Sequence, residues 1–74
     1  DYSMVEIAVP DKWVGRTLVD INVRERLGIN VVGIIINGKI DVTLDPQKPL
    51  PEGGILIVIG ANDVLEKFDS KKKL

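Results

Sequence analysis

The run Trp13-Val14-Gly15-Arg16-Thr17-Leu18-Val19-Asp20-Ile21-Asn22-Val23-Arg24-Glu25-Arg26-Leu27-Gly28-Ile29-Asn30-Val31-Val32-Gly33-Ile34 decides how this chain folds. Thr17 with Asp20 three residues later predicts a helix start, the hydroxyl capping an amide and the carboxylate sitting at the positive end. Asn22 with Glu25 repeats that arrangement, and Gly28 supplies a left-handed stop, so Asn22 to Leu27 reads as a second short helical turn. Leu18, Ile21 and Leu27 form the inward stripe. Asn30 to Ile36 is almost wholly aliphatic, which predicts a strand covered on both faces. Arg24 and Asn30 are then left facing an apolar surface, a combination suited to holding a polar anion.

Working outward, Met4 to Val9 alternates, with Val5, Ile7 and Val9 on one face and Glu6 on the other, and Pro10 ends that strand. Asn37-Gly38 is a hairpin signal, since both residues tolerate the positive φ of a type I′ turn. The returning strand Lys39 to Leu44 alternates and is read with Ile40, Val42 and Leu44 inward. A loop from Asp45 to Gly54 is punctuated by Pro46, Pro49 and Pro51. Ile55 to Ile59 is a second fully aliphatic run, read as a central strand closed by Gly60. Asn62 and Asp63 cap a final helix through about Phe68 with Val64, Leu65 and Phe68 inward, and residues 69–74 read as a frayed tail. The expected fold is α+β: a small mixed sheet of about four strands with two or three short helices, in a βαβββα-like order.

The chain has 74 residues, 45% of them hydrophobic but only 4% aromatic, so its core is built from Ile, Val and Leu. A single domain of this size is marginal, burying about 60% of its unfolded surface. Neither a disulfide nor a Cys/His zinc site can brace it, because the sequence contains no cysteine and no histidine. Two strands needing cover on both faces, beside short helices only, point to a homodimer with an isologous interface near the first helical segment and second strand. The formal net charge of −1 gives no basic field, which argues against a nucleic-acid polymer as partner. No apolar run approaches the ~20 residues that span a bilayer, so no direct membrane insertion is expected.

Chemically, the sequence favours binding over catalysis. Its two serines lie near the ends, at Ser3 and Ser70, and no catalytic or metal-ligating set emerges. Arg24 offers a planar, permanently charged fork matched to phosphate oxygens, close to a helix start whose free amides favour anions. Its alternative is a surface ion pair with Glu25 or Asp20. Asn30 offers both a donor and an acceptor, or else satisfies a backbone group at the strand start. Leu18, Val23 and Val31 suit a dimer core, and Pro46 suits a turn. Ile55 to Asn62 lacks the second and third glycines of a dinucleotide-binding fingerprint. Lys71, Lys72 and Lys73 are read as a solvated tail, and Trp13 as a plug at the sheet edge.

Several segments together resemble the TrkA-C, or RCK_C, regulatory domain of Trk and Ktr potassium-uptake subunits. They are Val5-Glu6-Ile7-Ala8-Val9, Trp13 to Leu18, Asn22 to Val32, and Glu52-Gly53 followed by Ile55 to Gly60. The resemblance covers roughly Tyr2 to Phe68. It implies one dimeric RCK_C domain over 1–74, lying behind an RCK_N domain absent from this chain. The assembly implied is a cytoplasmic ring, peripherally associated with the membrane through a potassium channel subunit. In the Ktr type it further implies cyclic di-AMP as a regulatory ligand at the dimer interface, with no cofactor in this domain. Carried over position by position, Arg24 would contact phosphate and Asn30 ribose or phosphate. Leu18, Val23, Val31 and Pro46 would cradle adenine, and the backbone of Asn22 and Val23 would add hydrogen bonds. The alternative is a purely structural dimerisation module with no ligand of its own.

Overall fold

The computed structural model describes the backbone of residues 1–73 and the side chains of residues 1–67. The elements run β1 (Tyr2–Ala8), a single 3-10 turn (Asp11–Trp13), α1 (Leu18–Ile21), α2 (Val23–Leu27), β2 (Ile29–Ile36), β3 (Lys39–Asp41), β4 (Ile55–Ala61) and α3 (Asn62–Lys73). The four strands form one sheet in the order β1-β4-β2-β3. Every pairing between these strands is antiparallel, so the expected mixed sheet is corrected to an antiparallel one. A parallel bridge occurs only as the isolated pair Val14 and Leu50 among the described residues. β4 is central because its aliphatic run has a partner on either side.

The helices lie on one face of the sheet. Ile7, Val9, Ile29, Ile34, Leu56 and Val58 from the sheet side meet Leu18, Ile21, Val23 and Leu65 from the helices, with Trp13 and Leu50 completing the core. Ile29, Leu56 and Val58 are fully buried. Gly60 sits in β4 where a larger residue would not fit, since a Cβ there would lie 3.0 Å from Ile29 Cγ2 and 3.5 Å from Leu65 Cδ2.

The opposite face is open in the single chain, and this decides where several expectations fail. The two-residue turn at Asn37 (φ 53°) and Gly38 (φ 80°) forms as its sequence predicts, and it pairs Ile36 with Lys39, Ile35 with Ile40, and Ile34 with Asp41. Ile34 faces the core, so alternation places Ile40 and Val42 on the other side. They are 63% and 71% exposed, not inward, and β3 ends at Asp41, leaving Leu44 half-buried in the loop. β2 and β4 are likewise covered on one face only within the chain, with Ile35, Ile55, Ile57 and Ile59 half-buried on the other. α3 continues to Lys73, past the expected end near Phe68. The side chain of Phe68 and those of the expected tail lie outside the described residues.

Candidate ligand groove

Thr17 begins the site as its position predicts, its Oγ1 accepting from the Asp20 amide at 3.0 Å. Asn22 behaves differently from the expectation. Its backbone is left-handed (φ 58°, ψ 49°) and its side chain caps nothing, because it is at once the last joint of α1 and the first of α2. The result is a sharp turn between two helices of four and five residues. Arg24, in α2, is the cationic side chain that this turn presents beside Leu18, Asn22 and Asn30. Gly28 (φ 72°) ends α2 in the left-handed conformation, its amide reaching the Arg24 carbonyl at 3.2 Å. It turns the chain into β2 within one residue, which brings Asn30 and Val31 beside the helices that carry Leu18 and Arg24.

The loop after β3 closes the arrangement. Asp41 Oδ1 accepts from both the Thr43 amide (2.9 Å) and the Thr43 hydroxyl (2.7 Å), and Asp45 Oδ1 accepts from the Gln47 amide at 2.9 Å. The two Thr43 hydrogen bonds hold the Asp41 carboxyl below its ordinary value of 3.8, the side-chain bond more than the backbone one. The Val19 amide donates to the Pro46 carbonyl at 3.1 Å, tying the loop to α1.

Between these elements lies an open groove of about 520 Å³, within the ~300–1,000 Å³ usual for small-molecule sites. It is lined by Leu18, Val19, Asn22, Val23, Arg24, Ile29, Asn30, Val31, Val32, Val42, Leu44 and Pro46. All seven residues singled out from the sequence line it, although they come from two helices, a strand and a loop. Leu18, Val23 and Ile29 are buried and form its floor, while Asn22, Arg24 and Asn30 are exposed at its rim. Arg24 makes no ion pair among the described residues, so the expected alternative with Glu25 or Asp20 is not formed. Three polar groups above an aliphatic floor can hold an anion beside an apolar ring. Among the lining residues there is no carboxylate, hydroxyl or imidazole to act as base or nucleophile.

Sequence reasoning missed Val19, Ile29, Val32, Val42 and Leu44 as groove residues. Val19 was findable: it lies off the inward stripe of α1 and is a large aliphatic side chain 55% exposed. Val32 was not, because it is the extra residue of a bulge between Val31 and Gly33, where the register against β4 shifts.

The TrkA-C domain profile matches residues 3–73. The chain is 31% identical over 71 residues to the Ktr system potassium uptake protein C of Bacillus subtilis (strain 168), covering 96% of this chain and 32% of that protein. Against the Ktr system potassium uptake protein A of the same organism it is 25% identical with the same coverage. It thus spans about a third of the length of these curated relatives. Among solved structures it superposes on the RCK C domain of the potassium transport protein KtrA, in complex with cyclic diadenosine monophosphate. That match has a TM-score of 0.85 and 30% identity, covering 96% of this chain and 84% of that one. The GsuK RCK domain matches with a TM-score of 0.79 and 25% identity over 93% of this chain and 16% of that one.

Proposed function

The chain belongs to the TrkA-C (RCK_C) domain family, and from that premise we propose that it is the ligand-sensing domain of a cytoplasmic potassium-uptake regulatory subunit, with cyclic di-AMP as its ligand. Two copies pair and share one molecule of the dinucleotide on their two-fold axis, so that each copy contacts one half of it. The Arg24 guanidinium takes a phosphate and Asn30 the ribose or phosphate. Leu18, Val23, Val31 and Pro46 cover the purine, and the backbone of Asn22 and Val23 adds hydrogen bonds. The partners are the RCK_N domain of the same subunit and, through the ring, a membrane-embedded potassium channel subunit. Among the described residues no helix is long and apolar enough to cross a membrane; in this proposal the channel subunit supplies the attachment to the membrane.

The observation that carries this reading is the convergence of Arg24, Asn22 and Asn30 over an aliphatic floor, with Arg24 in no ion pair among the described residues. A surface arginine without a partner is in itself ordinary. One that sits on the rim of an apolar groove, beside two amide side chains, meets the demands of a ligand that is anionic at its phosphates and apolar at its bases. The solved KtrA domain in complex with the same dinucleotide supports the choice among anions. Occupancy alters transport only to the extent that the ligand prefers one dimer geometry over another. Isothermal calorimetry of the domain with cyclic di-AMP tests the proposal. Heat at a stoichiometry of one ligand per two chains, lost in Arg24→Ala, is expected; no heat, or an unchanged affinity in R24A, refutes it.

A second reading has its own support. The sheet's open apolar face calls for cover whether or not a ligand exists, as a purely structural dimerisation module would require. That module predicts dimers whose melting temperature is unmoved by any cyclic dinucleotide, whereas a ligand selective for the folded state raises it.

A further inference from the structure

The chain has four asparagines, and their surroundings differ. Asn22 and Asn30 are each followed by a valine, whose branched side chain crowds the backbone nitrogen that follows the asparagine. Asn62 is followed by Asp63, and its carboxamide oxygen accepts from the Ser3 hydroxyl. Asn37 is followed by Gly38, and the two form the tip of the β2–β3 hairpin, both exposed and both left-handed (φ 53° and 80°). A Cβ added at Gly38 would meet nothing within 4 Å. Neither the Asn37 carboxamide nor the Gly38 amide makes a hydrogen bond among the described residues.

We propose that Asn37 is a site of spontaneous deamidation, and that the reaction dismantles one wall of the groove. The Gly38 nitrogen gives its proton to a buffer base and attacks Asn37 Cγ. The new N–Cγ bond closes a succinimide ring, the Cγ–Nδ2 bond breaks, and the nitrogen leaves as ammonia with a proton returned from the base. Water then opens the ring. Attack at Cγ leaves aspartate on the original backbone, and attack at the main-chain carbonyl carbon leaves isoaspartate, whose chain runs through Cβ and Cγ. Nothing is oxidised or reduced, and water is the co-reactant. Ring closure requires rotation about the Asn37 backbone, which an exposed hairpin tip grants at low cost because its outer strand is three residues long and pairs with β2 alone. Asn30, by contrast, lies within β2 and is paired with Ile59 of the central strand.

The consequence follows from what the turn holds. A two-residue turn with positive φ at both positions sets the register of the strands it joins, here Ile36 with Lys39, Ile35 with Ile40 and Ile34 with Asp41. Aspartate on the original backbone still tolerates the left-handed region, so that product leaves the turn standing. Isoaspartate lengthens the turn by one backbone atom and no longer fits it. β3 is at the edge of the sheet, and no second strand holds it in place. The chain leaving β3 carries Val42, Leu44 and Pro46, all of which line the groove. Val42 packs over Gly33 beside Ile57: a Cβ on Gly33 would lie 3.6 Å from Val42 Cγ1 and 3.6 Å from Ile57 Cδ1. When β3 slips or detaches, Val42 leaves that position and the wall it forms is lost. The effect on cyclic di-AMP rests on the ligand reading above; the modification and the loss of β3 do not.

The test is to age the wild-type domain and Asn37→Gly in mildly alkaline buffer at physiological temperature, beside a free peptide of residues 34–41. N37G keeps the positive φ and lacks the carboxamide. Trypsin cleaves after Arg26 and Lys39, so one peptide carries both Asn37 and Asn30, its internal control. Expected in the wild type is the mass gain of an amide turned to a carboxyl, located at residue 37 and partly isoaspartyl by methyltransferase labelling, with Asn30 intact. The deamidated fraction, separated by its added negative charge, loses hydrogen-exchange protection over β3 and binds cyclic di-AMP several-fold more weakly. Aged N37G keeps its mass, protection and affinity. Asn37 intact in the domain after the free peptide has reacted to completion, Asn30 converted first, or an isoaspartyl form with full β3 protection overturns the proposal. If unaged wild type binds no cyclic di-AMP yet Asn37 converts and β3 loosens, the modification stands and the ligand reading falls. If it binds and Asn37 does not convert, the ligand reading stands and the modification falls.

Discussion

Replacing Gly60 by alanine adds one methyl group at the most crowded point of the central strand. The new Cβ would lie 3.0 Å from Ile29 Cγ2, 3.5 Å from Leu65 Cδ2 and 3.6 Å from the Gly28 carbonyl oxygen. Ile29 is fully buried and Leu65 nearly so, and both are backed by neighbours, so neither can swing into water to relieve the contact. Overpacking of this kind costs about 1–3 kcal/mol. Part is recovered, since alanine loses about 0.5–1 kcal/mol less than glycine on being ordered in a strand. At the middle of both ranges the net destabilisation is about 1 kcal/mol, out of a total of roughly 4–11 kcal/mol for a chain of this length. For a domain of this size that lowers Tm by roughly 4–8 °C. The contact is with the branch methyl of Ile29, so Ile29→Leu, which removes that methyl, relieves Gly60→Ala. In a double-mutant cycle the pair couples by at least about 0.5 kcal/mol. Chemical denaturation followed by circular dichroism at constant protein concentration measures all four species. A G60A variant as stable as the wild type, or strictly additive effects of the two substitutions, refutes the packing argument.

Other consequences are accessible to simple measurements. Thr17→Ala removes the acceptor of the Asp20 amide and lowers stability by about 0.5–2 kcal/mol in denaturant titrations. Arg24→Lys keeps the charge but loses the planar fork, so calorimetry should place its cyclic di-AMP affinity between those of wild type and R24A. Asp41 has its carboxyl pKa lowered in the folded state by the Thr43 hydrogen bonds. Its stabilising contribution is present above the ordinary value of 3.8 and disappears as the pH falls through the lowered folded value. Melting curves of the wild type and Asp41→Ala should therefore differ near neutrality and converge in strong acid. The same variant frees the loop that carries Leu44 and Pro46 and weakens ligand binding at neutral pH.

Local chemistry was legible wherever it is settled within a few residues. The Thr17 cap, the Gly28 stop, the Asn37-Gly38 turn and the central place of the Ile55 strand all follow from propensities that act within one turn or one strand. Asn22 was misread because cap statistics assume one helix starting at that residue. Here two helices meet at it, and asparagine's tolerance of the left-handed region takes precedence over its side-chain oxygen. Alternation gives the period of a strand and not its phase, which is why Ile40 and Val42 read as inward from the sequence. The phase came from the two-residue turn, which sets Ile40 opposite Ile35 instead of Ile34. The seven candidate groove residues were identified through a family resemblance combined with the chemistry of Arg24 and Asn30. That they share one groove is a fact of the tertiary structure alone.

By itself the sequence determined the class of elements, their order, an aliphatic core and the absence of any cysteine or histidine chemistry, since these depend on residue type and short-range spacing. Only the tertiary structure decided that the strands order as β1-β4-β2-β3, that every pairing among them is antiparallel, and that one apolar face of the sheet lies open beside the groove. Strand order and face are set by contacts between residues far apart in the chain. Their energies depend on which surfaces meet, a quantity that no local window of residues contains.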